Sequence, residues 1–246
     1  MQLFICILWF ILPFSFLTAQ NETLPLPIYE EALNATLKYA KGHSQFKNYF
    51  RLHEEELLRQ LKEGQTPSTL FIGCSDSRFI PDLILKTKPG DLFTIRTAGN
   101  FVPFYQAEMN DGIAATIQYA VEVLQVKHII VCGHSHCGAI EGLYKDWKPD
   151  QMPLVQKWLQ YGEPAKKLVS STTTSISKEE LYNLTGEVSV LYQLENLLTY
   201  PFVKKLVEED KIALHGWYYR METGDIFYFD PKANHFYSFN ELIKKK

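Results

Sequence analysis

The chain has 246 residues, 46% of them apolar, and a formal net charge of −3, which suits one sizeable buried core. That charge, with no run of interleaved basic and aromatic residues, excludes the basic field on which nucleic-acid binding rests. The terminal Lys244, Lys245 and Lys246 read as a solvated tail.

The opening stretch "MQLFICILWFILPFSFLTAQ" carries no charged side chain, is interrupted by Pro13 and ends in small or polar residues around Ala19. This pattern predicts a signal peptide over residues 1–19 and an exported location: periplasm, secreted medium or secretory-pathway lumen. No stable membrane anchor remains if the peptide is cleaved. An uncleaved anchor is the alternative, because no Lys or Arg precedes the apolar run. Cleavage removes Cys6 and leaves Cys74, Cys132 and Cys137, an odd count that does not suit a disulfide framework in an exported protein. Sequons at Asn21, Asn34 and Asn183 matter only in a eukaryotic secretory pathway.

Residues 20–64 read as an N-terminal helical arm, with Leu57, Leu58 and Leu61 forming an apolar stripe on its second helix. "EGQTPS", Glu63 to Ser68, breaks the pattern, and residues 65–246 form the main domain. There, short apolar runs alternate with helical segments: "TLFIGC", "DLFTIR", "KHIIVCG" and "KIALHGWYY". Between the second and third, Ile113, Ile117, Ala120, Val121 and Leu124 fall on one helical face. The alternation predicts an α/β fold built on a parallel sheet with helices on its faces. "DIFYFD", Asp225 to Asp230, follows closely enough to add an antiparallel edge strand. "SSTTTSIS", Ser170 to Ser177, reads as a loop before helices broken at Pro201.

Two strand ends collect polar chemistry: "CSDSR" at Cys74 to Arg78 and "CGHSHCGA" at Cys132 to Ala139. Neighbouring parallel strands open their carboxyl ends onto one crevice, so Cys74, Asp76, His134 and Cys137 can converge there. Two thiolates, an imidazole and a carboxylate suit tetrahedral zinc. In extended chain Cys74 and Asp76 point to one side, while His134 and Cys137 are spaced for a tight turn into a helix between Gly133 and Gly138. Cys132 reads as a small buried hydrophobe, and His43, His53, His128, His215 and His235 as ordinary polar groups. A closed structural zinc is the rival reading. Arg78 bears on the choice: paired with Asp76, it holds that carboxylate off the metal and frees a position for water. Turned away, it lets Asp76 close the site.

These residues resemble the beta-class carbonic anhydrases. The matching strings are "GCSDSR", "IRTAGNFV", "AATIQYAVEVLQVKHIIVCGHSHCGAI" and "LHGWYY", in order across most of Gln65 to Asp230. The resemblance implies zinc-dependent reversible hydration of carbon dioxide to bicarbonate and a proton by zinc-bound hydroxide. It makes Cys74, His134 and Cys137 the zinc ligands, and Asp76 and Arg78 the catalytic dyad, with Asp76 a further ligand in a closed state. It also implies four parallel strands with an added antiparallel strand, and a homodimer or dimer of dimers with the N-terminal helices packed across the partner. Gln65 would line the active site of the adjoining subunit. His136, between two ligands, is a candidate proton carrier, a solvent-facing side chain being the alternative. Some members carry a regulatory bicarbonate site of Trp, Arg and Tyr; Arg96 and Tyr219 match, but Phe71 replaces the Trp, so no such site is expected. The rivals are hydrolysis of carbon disulfide or carbonyl sulfide on the same fold, and a non-catalytic zinc-binding scaffold.

Overall fold

The structure, a computed structural model, describes residues 26–108, 111–148 and 150–244. The expected signal peptide, Cys6, the Asn21 sequon and the last two lysines lie outside the described residues. The chain divides into two units, Met1–Arg59 and Gln60–Lys246. Helix α1, Leu26–Leu52, belongs to the first and exposes Tyr29, Leu33, Leu37, Tyr39 and Phe46; α2, Glu54–Glu63, follows. The expected stripe on α2 is only partly covered, with Leu57 half-buried and Leu58 and Leu61 exposed. Among the described residues no helix is long and apolar enough to cross a membrane.

The second unit is built on six strands interleaved with helices. In chain order these are β1 (Thr69–Cys74), α3 (Pro81–Leu85), β2 (Leu92–Thr97), α4 (Gly112–Gln118), β3 (His128–His134) and α5 (Gly138–Leu143). Helices α6 (Pro153–Leu159), α7 (Glu163–Thr172), α8 (Lys178–Leu198) and α9 (Pro201–Glu208) follow, then β4 (Ala213–Arg220), β5 (Asp225–Asp230), β6 (His235–Ser238) and α10 (Phe239–Lys244). The sheet order is β2-β1-β3-β4-β5-β6, with β1 to β4 parallel and β5 and β6 antiparallel. Four parallel strands with an antiparallel addition match the expectation from sequence. The difference is β6: it pairs Phe227 with Ser238 and Asp230 with His235, and so takes the edge expected of β5. Four residues after a turn are too few to show a strand period.

The apolar runs become strands because both faces are covered. Leu70 and Ile72 of β1, Ile129 and Val131 of β3, and Val190 and Leu197 of α8 are fully buried in one cluster. The helical face expected around α4 is real: Ile117, Ala120 and Val121 are buried, with Ile113 and Leu124 packed at its margin. The expected loop at Ser170 is shorter than its composition suggested, since α7 continues to Thr172, whose hydroxyl donates to the Leu168 carbonyl at 2.9 Å. Ser177 then opens α8 through a capping box with Glu180. The sequon residue Asn183 is buried on α8, where its Oδ1 accepts from the Tyr218 hydroxyl at 3.1 Å.

Sheet register sets the site. Gly73 pairs with Arg96 on one side and Cys132 on the other, and His134 pairs with Tyr219. The ends of β1, β2, β3 and β4 therefore meet on one edge of the sheet.

Candidate metal centre

Cys74 is the last residue of β1, His134 the last of β3, and Cys137 the residue from which α5 starts. All three are buried, and their donor atoms lie within 4.8 Å of one another. The two sulfurs stand 3.9 Å apart, close to the separation of about 3.8 Å that thiolates take at about 2.3 Å from a tetrahedral zinc. The His134 Nδ1–H donates to the Ser135 carbonyl at 2.7 Å, and the Phe79 ring stacks on the imidazole at 5.6 Å between centroids. Its Nε2 is buried with no hydrogen-bond partner among the described residues. A buried imidazole nitrogen left bare beside two thiols is costly unless an ion takes its lone pair, so the donor set fits zinc.

The two thiols are pulled in opposite directions. The hydrogen bond from Cys137, with help from His134 and the Gly99 N–H, draws Cys74 down to about 4 despite burial. That same bond, burial and the charge on Cys74 push Cys137 well above the ordinary thiol range. Cys132, inside β3, is fully enclosed with Phe71, Phe79 and Ile130, and burial pushes its thiol up. It is an inert thiol, and no disulfide forms among the described cysteines.

Asp76 and Arg78 form a two-pronged pair: Arg78 Nε donates to Asp76 Oδ1 at 3.0 Å and Nη2 to Oδ2 at 2.8 Å. The Arg78 backbone N–H adds a bond to Oδ1 at 2.9 Å, and Nη2 also reaches the His136 carbonyl at 3.2 Å. Arg78's bonds hold the Asp76 carboxyl well below the usual carboxylate range. The clustered donor atoms are those of Cys74, His134 and Cys137, with Asp76 outside the group. Behind the pair, Arg96 of β2 clamps the same loop: its Nε donates to the Cys74 carbonyl at 2.9 Å, and Nη2 to the carbonyls of Asp76 at 2.6 Å and Phe79 at 2.7 Å.

The remaining expected residues fall elsewhere. Gln65 is exposed between α2 and β1, before the amino end of the strand that carries Cys74 at its other end, so one chain does not bring it to the metal donors. Phe71 is buried against Phe79 and Trp217. The His136 side chain is 47% exposed, with Nε2 3.6 Å from Glu222. His128 and His215 face each other across β3 and β4 at 3.2 Å, while His43 and His53 stack against Phe46 and Tyr49 on or beside α1.

Sequence reasoning gave no role to Gly99, Ser135 or Glu222. Gly99 sits at φ +76 and donates its N–H to Cys74 Sγ at 3.4 Å; a Cβ there would lie 2.8 Å from Phe101 and 2.9 Å from Ala139. The glycine in "IRTAGNFV" was a usable signal for a left-handed backbone. Beside the donors, an apolar cleft of about 670 Å³ is lined by Ser75, Thr97, Ala98, Ala139 and Trp158 among others. The Trp158 indole N–H donates to the Ala98 carbonyl at 2.8 Å and fixes one wall.

Comparison with known proteins places this geometry. A family model described as "Carbonic anhydrase" matches residues 69–226. A carbonic anhydrase of Synechocystis sp. is 42% identical over 189 residues, 76% of this chain and 68% of the relative. Carbonic anhydrase 1 of Escherichia coli O157:H7 is 43% identical over 182 residues, 74% and 82% of the two chains. Among solved structures, the beta-carbonic anhydrase CcaA superposes with a TM-score of 0.78 at 39% identity, covering 83% of this chain and 92% of that one. A structure described among two tetrameric beta-carbonic anhydrases from Sordaria macrospora gives 0.65 at 27% identity, covering 80% and 96%. The matched segment contains both cysteines, the histidine and the Asp76–Arg78 pair, and the chain belongs to the beta-class carbonic anhydrase family, as a carbonic anhydrase.

Proposed function

We propose that this enzyme interconverts carbon dioxide and bicarbonate at a zinc ion held by Cys74, His134 and Cys137, with Asp76 and Arg78 as its catalytic pair. The observation that carries the reading is the bare, buried His134 Nε2, on a ring that brings a donor nitrogen within 4.8 Å of both sulfurs, while Asp76 is tied to Arg78 instead. Zinc bound there supplies a Lewis acid that makes water acidic enough to ionise near neutral pH. Asp76 stays ionised, because Arg78 holds it so, and accepts the hydrogen bond of a water beside the donors. Arg78 fixes the carboxylate's direction through two side-chain bonds and anchors itself on the His136 carbonyl. The apolar cleft begins at Ser75 and Gly138, the residues next to Cys74 and Cys137, and its lining suits a small uncharged substrate.

The same reading makes the working enzyme an even oligomer. Supporting it are the relative described as tetrameric and the apolar side chains exposed along α1. In such an assembly Gln65 lines the adjoining subunit's site. The leader over residues 1–19 supports an exported enzyme, checked by the N-terminal mass of protein recovered outside the cytoplasm. Substrate choice is tested by stopped-flow carbon dioxide hydration run beside carbonyl sulfide and carbon disulfide hydrolysis. Fast hydration without sulfide release is expected; sulfide release without hydration overturns the choice.

A further inference from the structure

We propose that Glu222 is a positioning residue for the metal centre, acting through Ser135 on the His134 ring; the inference rests on the zinc reading above. Ser135 lies one step past β3, and its N–H extends the sheet ladder to the Tyr219 carbonyl at 2.9 Å. The side chain of this fully buried residue donates to Glu222 Oε2 at 2.5 Å and accepts from the Met221 N–H at 2.8 Å. Its carbonyl takes the Nδ1–H of His134 at 2.7 Å. One residue thus fixes the tautomer and tilt of the imidazole that turns Nε2 toward the sulfurs, and three bonds to the chain around the β4 end hold that residue still.

Glu222 is the side-chain anchor of this arrangement. It sits in the turn between β4 and β5, where Arg220 Nη1 stands 3.9 Å and His136 Nε2 3.6 Å from its carboxylate. A carboxylate accepts a hydroxyl proton more strongly than a neutral group does, so Ser135 is held in one rotamer. A partner bonded directly to a metal-bound histidine is worth about 10- to 100-fold in metal affinity or activity when removed; Glu222 acts one bond further out, so a smaller effect is expected of it. The sequence hides the relationship, because Ser135 and Glu222 are 87 residues apart.

The test is zinc release from the full chain to a chelator, with the absorption of the cobalt-loaded protein as a second readout. Glu222→Ala is expected to release zinc several-fold faster, up to about tenfold, and to shift the thiolate-to-cobalt bands. Glu222→Gln keeps an oxygen to accept from Ser135 and is expected close to wild type in both. Ser135→Ala should match Glu222→Ala, and the double variant should release zinc no faster than Ser135→Ala alone, because both act through one contact. If Glu222→Ala does not fold, Ser135→Ala set against Glu222→Gln carries the same comparison. Wild-type release rates and unshifted bands in Glu222→Ala, or multiplied effects in the double variant, overturn the proposal. A wild-type chain that takes up no stoichiometric zinc instead overturns the metal reading beneath it.

Discussion

Arg96, on β2, donates from Nε to the carbonyl of Cys74, the last residue of β1, at 2.9 Å. Register brings them together, since Arg96 pairs with Gly73 one residue earlier. The guanidinium spends its other bonds on the carbonyls of Asp76 and Phe79, so one side chain holds the backbone at Cys74, Asp76 and Phe79, the loop that carries a proposed zinc ligand and the proposed catalytic carboxylate. Arg96→Ala is expected to lower kcat/KM about 10- to 100-fold while the fold persists. Arg96→Lys, a single donor head on a flexible stem, should fall between. Steady-state hydration rates beside circular dichroism check both.

Asp76→Asn and Arg78→Ala separate metal binding from chemistry. Both variants should keep wild-type zinc content and lose about 10²-fold or more in hydration rate. The Asp76 carboxyl is depressed in the folded state, so the stability it contributes is present above its unfolded value of about 3.9 and lost only as pH falls through the lower folded value. Arg78→Ala should therefore differ from wild type in thermal stability at neutral pH and converge with it in strong acid. The difference should be small, because the Arg78 side chain is 60% exposed.

Metal uptake should release protons in a defined number. Without metal, Cys74 is drawn well below the ordinary thiol range and Cys137 pushed well above it, so one thiolate and one thiol are expected at neutral pH. Zinc affinity should then rise about tenfold per unit between about pH 6 and pH 8, one proton leaving per ion. Competition titrations across that range measure the slope. A hundredfold slope would mean that both thiols carry protons.

Gly99→Ala should destabilise the fold by about 1–3 kcal/mol, because a side chain is strained at φ +76 and its Cβ would press on Phe101 and Ala139. The loop that donates to Cys74 Sγ would move with it, so zinc should also leave faster. Thermal melts and chelator kinetics on the same variant check the two effects together.

Much of this architecture could be read from residues. The short apolar runs around Leu70, Ile129 and Leu214 alternate with helical segments, and polar residues at the ends of two of them announce a site at the carboxyl ends of the strands. What escaped depends on register and backbone direction. The clamp by Arg96 exists only because β2 lies beside β1 at one offset, and Ser135 meets Glu222 only once β4 lies beside β3. Strand β6 is too short to show alternation, and Ser170 to Thr172 joined α7 although their composition favours a loop. Gln65 lies exposed between α2 and β1, away from the donors, a placement that only the three-dimensional path of the chain reveals.

The central claim is tested most directly by measuring carbon dioxide hydration and zinc content on the same samples, as zinc is stripped from the full chain and then restored. Rate should fall and recover in proportion to zinc, at one ion per chain, and Cys74→Ser, Cys137→Ser and His134→Ala should lose both together. Hydration that persists after the zinc is gone, or full zinc occupancy with no hydration from neutral to alkaline pH, would contradict the account.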